Sequence, residues 1–393
     1  MLPKLVGGVY SSTSEKELER RKLAVQEVMA KKGADCVILA AHNADVGGAI
    51  KYFTDIHVSP YGAYVLMPRD GDLTYYGHGA EGTKASNSPY SKNFEGNIAF
   101  PYMVAFSFTD SYIPTEIVKW INSRGYKRIG LYRKQHISML IGDAIREGVP
   151  GFEFVSMDDE IDLIQAVKSE EEIGYLEHVV KLHDDLIVAC NAFIRPGRFE
   201  REVANDVMKL SLDNNCELLN IMVGSGRPIG RYKTVHAANK RIEAGDIVDI
   251  LVEVSGPGGY WGEVSRMWCL GEPPPGLMGA FADCLEIQER IASLARPGAR
   301  ACDLMTELHS FQVAHGYDKE LRLFAHGQGY DVVSRPCFMP GDTMEIQENM
   351  FFAIHPILIN ANVCAHITDN FLITKDGGKL LSKTPRQVFL IDC

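Results

Sequence analysis

Gly245-Asp246-Ile247-Val248-Asp249-Ile250-Leu251-Val252-Glu253-Val254 is followed closely by Gly259-Tyr260-Trp261-Gly262-Glu263-Val264-Ser265-Arg266. Each stretch sets polar groups into or beside a strand-like apolar run. Glu253 stands near the end of the first. A carboxylate there belongs to a rim or to a site, and if buried it needs a partner or a raised pKa. Three further segments share this character: Thr234-Val235-His236; Phe324-Ala325-His326-Gly327-Gln328-Gly329-Tyr330, running on to Arg335-Pro336; and Met350-Phe351-Phe352-Ala353-Ile354-His355-Pro356, followed by Thr368-Asp369-Asn370. His326 precedes Gly-Gln-Gly, which lets a backbone approach a ligand closely. His355 lies within an apolar run, as a hydrogen-bonded core residue or as a catalyst.

Outward from these segments the chain repeats itself weakly. Ala192-Phe193-Ile194-Arg195-Pro196-Gly197 and Ala292-Ser293-Leu294-Ala295-Arg296-Pro297-Gly298 each close one helical pattern and precede another. This is either coincidence, since Pro and Gly commonly end helices, or a duplicated α-β half. Before residue 156, helical and strand patterns alternate. Ser14-x-x-Glu17 matches a capping box, Gly33 ends that helix, and Cys36–Ala40 reads as a buried strand. Tyr64–Met67 and Leu73–Tyr76 read as a hairpin, and Arg128–Tyr132 as another strand. The acidic segment 156–171 marks the change, so the expected domains are 1–158 and 159–393.

Composition limits the function. The 393 residues carry 40 Lys and Arg against 51 Asp and Glu, a net charge of −11. No basic stripe is available to neutralise phosphates, so nucleic acid is not an expected partner. No apolar run reaches the roughly 18 residues of a membrane span, and no signal sequence is read at the N-terminus. Nine scattered cysteines without a CxxC pair fit a reducing cytoplasm.

Taken in order, the five segments resemble the pita-bread family of creatinase, prolidase, aminopeptidase P and methionine aminopeptidase, over nearly the whole chain. The resemblance implies an α/β (α+β) architecture: a small N-terminal creatinase/prolidase-like domain and a C-terminal pita-bread domain built from duplicated α-β halves. Family metallopeptidases hold two metals with Asp, Asp, His, Glu and Glu. Those positions fall here at Leu251, Glu263, His326, His355 and Thr368, so only the histidine is kept. A further family histidine falls at Val333. Two adjacent metals need bridging carboxylates to offset their repulsion, so the resemblance points to the branch that lacks the dinuclear centre, similar to creatinase and ectoine hydrolase. Glu253 aligns with a glutamate of the latter, and His236 with the family's proton-shuttling histidine. Creatinase's two active-site glutamates fall at Ser265 and His355.

The expected activity is hydrolysis of a C–N bond of amide, amidine or guanidino type in a small nitrogen-containing solute. His236 moves the proton, Glu253 or Glu263 serves as base or nucleophile, and His326 and His355 polarise the scissile group. Arg335, with Arg231 or Arg227, would fork onto a substrate carboxylate, and Tyr260 and Tyr61 are further expected contacts. No cofactor is expected. The alternative is one zinc, iron or manganese ion on Glu263, His326 and His355, supporting hydrolysis or elimination. An Xaa-Pro peptidase-like protein and a non-catalytic binding protein are further alternatives. The resemblance also implies a cytoplasmic homodimer in which the loop His57–Gly62, carrying Tyr61, closes the partner's site.

Overall fold

The computed structural model describes residues 4–6, 9–11, 13–44, 47–101, 107–227, 233–234 and 239–393. They divide into two compact units, Lys4–Gln165 and Ala166–Cys393. The division falls after Gln165 rather than after Asp158. The helix Asp158–Ala166 is tied back to the first unit: Ile161 is fully buried, Glu160 pairs with Lys32 at 2.6 Å, and the Tyr132 hydroxyl donates to Asp162 at 2.7 Å.

In the first unit, α1 (Glu15–Lys32) starts where Ser14 accepts the Glu17 N–H and stops at Gly33 in the left-handed region. The expected capping box is only half made. The Glu17 carboxylate is instead taken by Arg20 and Arg21. Six strands follow: β1 (Cys36–Ala41), β2 (Ala63–Pro68), β3 (Thr74–His78), β4 (Gly96–Phe100), β5 (Arg128–Leu131) and β6 (Glu153–Ser156). They form one sheet in the order β4-β3-β2-β1-β5-β6. β2 and β3 are the expected hairpin, and β1 runs parallel to β5. Helices α2 (Tyr112–Ser123) and α3 (Met139–Gly148) bury Ile117, Ile121, Ile141 and Ile145 against the sheet residues Ile38, Leu66 and Ile129.

The second unit is written twice. α4 (Glu170–Phe193), Arg-Pro-Gly197 and α5 (Glu200–Asp213) lead into β7 (Leu218–Gly226), β8 (Ile247–Ser255) and β9 (Trp261–Leu270). α6 (Leu277–Leu294), Arg-Pro-Gly298 and α7 (Ala301–Ala314) lead into β10 (Ala325–Gly327), β11 (Ser334–Cys337), β12 (Phe351–Ile354), β13 (Cys364–His366), β14 (Asp369–Thr374) and β15 (Gly377–Leu380). The chain ends near β16 (Phe389–Ile391). The two Arg-Pro-Gly turns match in detail. Gly197 and Gly298 take φ of 91° and 88°, a conformation glycine adopts without a Cβ penalty. Gly197 N–H donates to Ile242, whose N–H donates to Arg198; Gly298 N–H donates to Ile346, whose N–H donates to Ala299. The repeat read in the sequence is therefore a structural one.

Each half carries a five-stranded sheet. One is Lys233–Thr234, β7, β8, β9, β16; the other is β11-β10-β12-β14-β15. A bridge between Ser265 and Thr368 joins them. α4 and α5 cover the first sheet with Leu186, Ile187, Val203 and Val207 packed on Val248, Ile250, Val252 and Trp268. β8 and β9 are buried along their whole length, so polar residues on them must find partners inside the protein. Arg266 and Asp369 do so with each other, at 2.6 Å and without exposure. The nine cysteines are free thiols. No helix among the described residues is long and apolar enough to cross a membrane.

Candidate functional site

β8 and β9 pair antiparallel in a register that sets Glu253 directly opposite Glu263. Side chains on a strand alternate between faces. Asp249, Leu251 and Glu253 therefore share one face of β8, and Glu263 and Ser265 share the matching face of β9. The second half supplies the rest. β10 carries His326, and the chain leaving β12 carries His355. Glu263, His326 and His355 place one ligating atom each within 4.8 Å of the others. Four of the expected residues, Glu253, Glu263, His326 and His355, thus converge from both halves.

The two carboxyls differ in charge state. Burial pushes Glu253 well above the ordinary carboxylate range, and the charge on facing Glu263 pushes the same way; a 2.6 Å hydrogen bond donated by Asn220 opposes both. Burial also works against a charge on Glu263, but His355 and then His326 outweigh it and hold that carboxyl below the usual range. Two like charges in one buried space cannot both ionise cheaply. The pair shares one proton, on Glu253, away from the imidazoles. Burial, against the pull of Glu263, lowers His355 to about 4, and His326 and His366 add to the shift.

His326 faces Glu263 through Nε2. Its Nδ1 lies 3.0 Å from the Gly327 carbonyl, which can only accept, so Nδ1 holds the hydrogen. Nε2 then stands 3.4 Å from Glu263 Oε2, an oxygen buried without a hydrogen bond. Two electron-rich atoms at that spacing call for something positive, a proton or a metal ion. Zinc at about 2.0–2.1 Å from each tetrahedral ligand would hold two ligand atoms roughly 3.4 Å apart. One ion on Glu263, His326 and His355 therefore fits. Two ions do not. Leu251 offers only a hydrocarbon side chain, and the Thr368 hydroxyl is engaged by Ser265 and His366 at 3.0 and 3.2 Å.

Supporting groups fix Glu263. Its backbone N–H donates to Asn370 Oδ1 at 3.0 Å, and Asn370 Nδ2 donates to Gln328 at 3.1 Å. His183, reaching up from α4, gives its Nδ1 hydrogen to Val179 and accepts the Val254 N–H on Nε2. A Cβ at Gly262 would meet His183 and Asn370 at 3.0–3.3 Å, so a larger residue there would press on both.

Other expectations fare differently. Tyr260 is buried and stacked between Tyr175 and Tyr330, with ring centroids 5.9 and 4.2 Å away, and its hydroxyl donates to Glu172 at 3.4 Å. Arg335 closes its fork on Asp342 at 2.9 and 3.2 Å, so that fork already holds a carboxylate of this chain. Arg227 donates to the Glu272 carbonyl, at the end of β8 remote from Glu253. Tyr61 lies in the first unit with its ring on His78, 4.2 Å away. Val333 is exposed. His236 and Arg231 lie outside the described residues. Sequence reading missed Asp249 and His366, which join Ser265 and Thr368 on the same face of the site. The alternation Asp249-x-Leu251-x-Glu253 pointed to the first; nothing in Cys364-Ala365-His366 pointed to the second.

The sequence model of metallopeptidase family M24 matches residues 174–375, and that of the creatinase/prolidase N-terminal domain matches residues 21–167. The Xaa-Pro dipeptidase of Pyrococcus furiosus is 30% identical over 240 residues, which is 60% of this chain and 68% of that protein. A creatinase from a Bacillus species is 23% identical over 337 residues, 83% and 78% of the two chains. Among solved structures, the prolidase of Pyrococcus horikoshii superposes with a TM-score of 0.76 at 25% identity, covering 94% of this chain and all of that one. The X-Pro aminopeptidase of Thermotoga maritima reaches 0.78 at 19% identity over 95% and 99%, which shows the shared fold.

Proposed function

The chain belongs to metallopeptidase family M24, and we propose that it hydrolyses a C–N bond of amide, amidine or guanidino type in a small nitrogen-containing solute, using acid–base side chains in place of a two-metal centre. The observation that supports this reading is the facing of two buried carboxyls, Glu253 pushed above and Glu263 held below the ordinary carboxylate range. Carboxyls pushed apart in this way serve as acid and base. The Glu263 carboxylate takes a proton from water as the water oxygen bonds to the substrate carbon. Glu253 gives its proton to the nitrogen as the C–N bond breaks. His326 and His355 polarise the group under attack. His236 is proposed as the shuttle that returns the proton to Glu253. The reading includes no resident cofactor, and a homodimer working in the cytoplasm.

A second reading is favoured by the clustering of Glu263, His326 and His355 within 4.8 Å. Those three would hold one divalent ion, which would supply Lewis-acid polarisation and lower the pKa of a bound water. The identity to the Xaa-Pro dipeptidase supports a peptide-bond substrate for either reading.

One experiment separates them. Freshly purified, untagged protein is analysed for metals, then assayed before and after chelation on ectoine-like, guanidino and amide solutes and on Xaa-Pro dipeptides. The expected result is turnover of a small solute that survives chelation and falls about 10²–10⁴-fold in E253Q and in E263Q. Activity confined to Xaa-Pro dipeptides and lost with the metal would overturn the proposal.

A further inference from the structure

The first unit holds a cavity of 210 Å³ that the proposed hydrolysis does not use. It lies where β1 and β4 end: His42 follows β1 directly, Phe100 closes β4, and the first turns of α2 and α3 stand beside them. Tyr64, Asp110, Ile113 and Ile141 are also in its wall. Only β2 runs antiparallel to the rest of this sheet. The cavity therefore sits at the carboxyl ends of the other strands, where open α/β sheets take their ligands.

Its chemistry is specific. Tyr64 is 5% exposed, on the sheet face that packs against α2 and α3, yet its hydroxyl has no hydrogen-bond partner among the described residues. A buried polar group left unpaired is costly and calls for an explanation. Burial pushes the ionisation of this hydroxyl upward, so it presents a neutral O–H that can donate or accept. Around it the wall is apolar, with Phe100, Ile113 and Ile141. An apolar cavity of about 150 Å³ binds benzene, so this one has room for a single ring with a substituent. The mouth is apolar as well. Among the described residues of the first unit six large hydrophobic side chains are exposed, and four of them, Phe108, Tyr112, Met139 and Leu140, belong to the segments that frame the cavity. Gathered apolar surface of this kind marks binding sites. Charge at the mouth is balanced: the N-termini of α2 and α3 favour an anion, and the Asp110 carboxylate opposes one. A neutral ligand meets neither penalty.

We propose that this cavity binds one uncharged, single-ring aromatic molecule bearing a hydroxyl or carbonyl group. Its ring lies among Phe100, Ile113 and Ile141, and its polar substituent hydrogen-bonds to the Tyr64 hydroxyl. The site does not depend on the hydrolase reading, and its test needs no turnover.

The test is calorimetric titration of the full chain with phenol, toluene and benzoate. The expected result is saturable binding of one phenol per chain. Toluene keeps the ring but cannot pair with Tyr64, and binds about 2–12-fold more weakly, the worth of one net hydrogen bond. In Y64F phenol loses that factor, toluene loses nothing, and the preference between them disappears. Benzoate binds more weakly than phenol. I141W, whose side chain fills the cavity, abolishes binding of all three; if I141W does not fold, Y64F, which keeps the ring of Tyr64, carries the comparison alone. Folded wild-type protein without saturable phenol binding, a preference for phenol over toluene that persists in Y64F, folded I141W that still binds phenol, or benzoate binding tighter than phenol would overturn the proposal.

Discussion

Replacing Glu253 by glutamine keeps the shape of the side chain and the bond from Asn220 but removes a titration. In the unfolded chain a glutamate gives up its proton near its ordinary value of 4.5, whereas folded Glu253 keeps it well above that. Across the interval the native state binds one proton more than the unfolded state. Stability therefore falls as pH rises, by up to about 1.4 kcal/mol per pH unit for one proton. Glutamine has no such slope. For a unit of this size, 1 kcal/mol moves the melting temperature by about 2–4 °C. E253Q should thus match the wild type near pH 4.5 and melt progressively higher above it, the gap opening by about 3–6 °C per pH unit until folded Glu253 itself ionises. Thermal melts of both proteins over a pH series provide the assay. A gap that is constant with pH, or that closes as pH rises, would mean that Glu253 is ionised in the fold. The assignment of acid and base would then fail.

Three further outcomes are expected. His355, held down to about 4 from an ordinary 6.5, binds fewer protons in the native than in the unfolded chain between those values. The protein should lose stability as pH falls through that window, and H355N should flatten this part of the curve; equal slopes in the two proteins would count against a neutral buried imidazole. Asp369→Asn strands the buried Arg266 charge and should cost about 3–5 kcal/mol in urea denaturation; a loss below about 1 kcal/mol would show that the backbone carbonyls of Ser265, Thr368, Thr384 and Pro385, which also accept from Arg266, suffice. Tyr260→Phe keeps the stacked ring and should cost at most about 1 kcal/mol with KM unchanged, whereas Y260A should cost about 3–5 kcal/mol; a raised KM in Y260F would restore Tyr260 as a substrate contact.

What the sequence made legible was local or ordered along the chain. The hairpin of β2 and β3, the strand β1 and the start of α1 follow from patterns within a few residues. The two Arg-Pro-Gly turns were visible because a glycine in the left-handed region cannot be disguised. Glu253, Glu263, His326 and His355 could be gathered because each sits in a recognisable segment. What the sequence did not show were pairings that only folding creates. Nothing near Arg335 announced that its guanidinium would close on Asp342. Nothing near Tyr260 announced two tyrosines, from α4 and from the turn after β10, on either side of its ring. His366 became visible only once β13 was laid beside β9. Its partner Asp249 stands two residues before Leu251 on the same strand face, and only the strand pairing shows what it meets.

The paired halves of the second unit have divided their labour. The acids, Glu253 and Glu263, belong to the first copy; the imidazoles, His326 and His355, belong to the second. The cluster of Glu263, His326 and His355 therefore exists only where the two copies meet. A substitution in either copy can alter the chemistry while the other continues to supply its share and the scaffold around it. Leu251 belongs to the first copy and His355 and Thr368 to the second, so both copies set the polarity of the surroundings of Glu263.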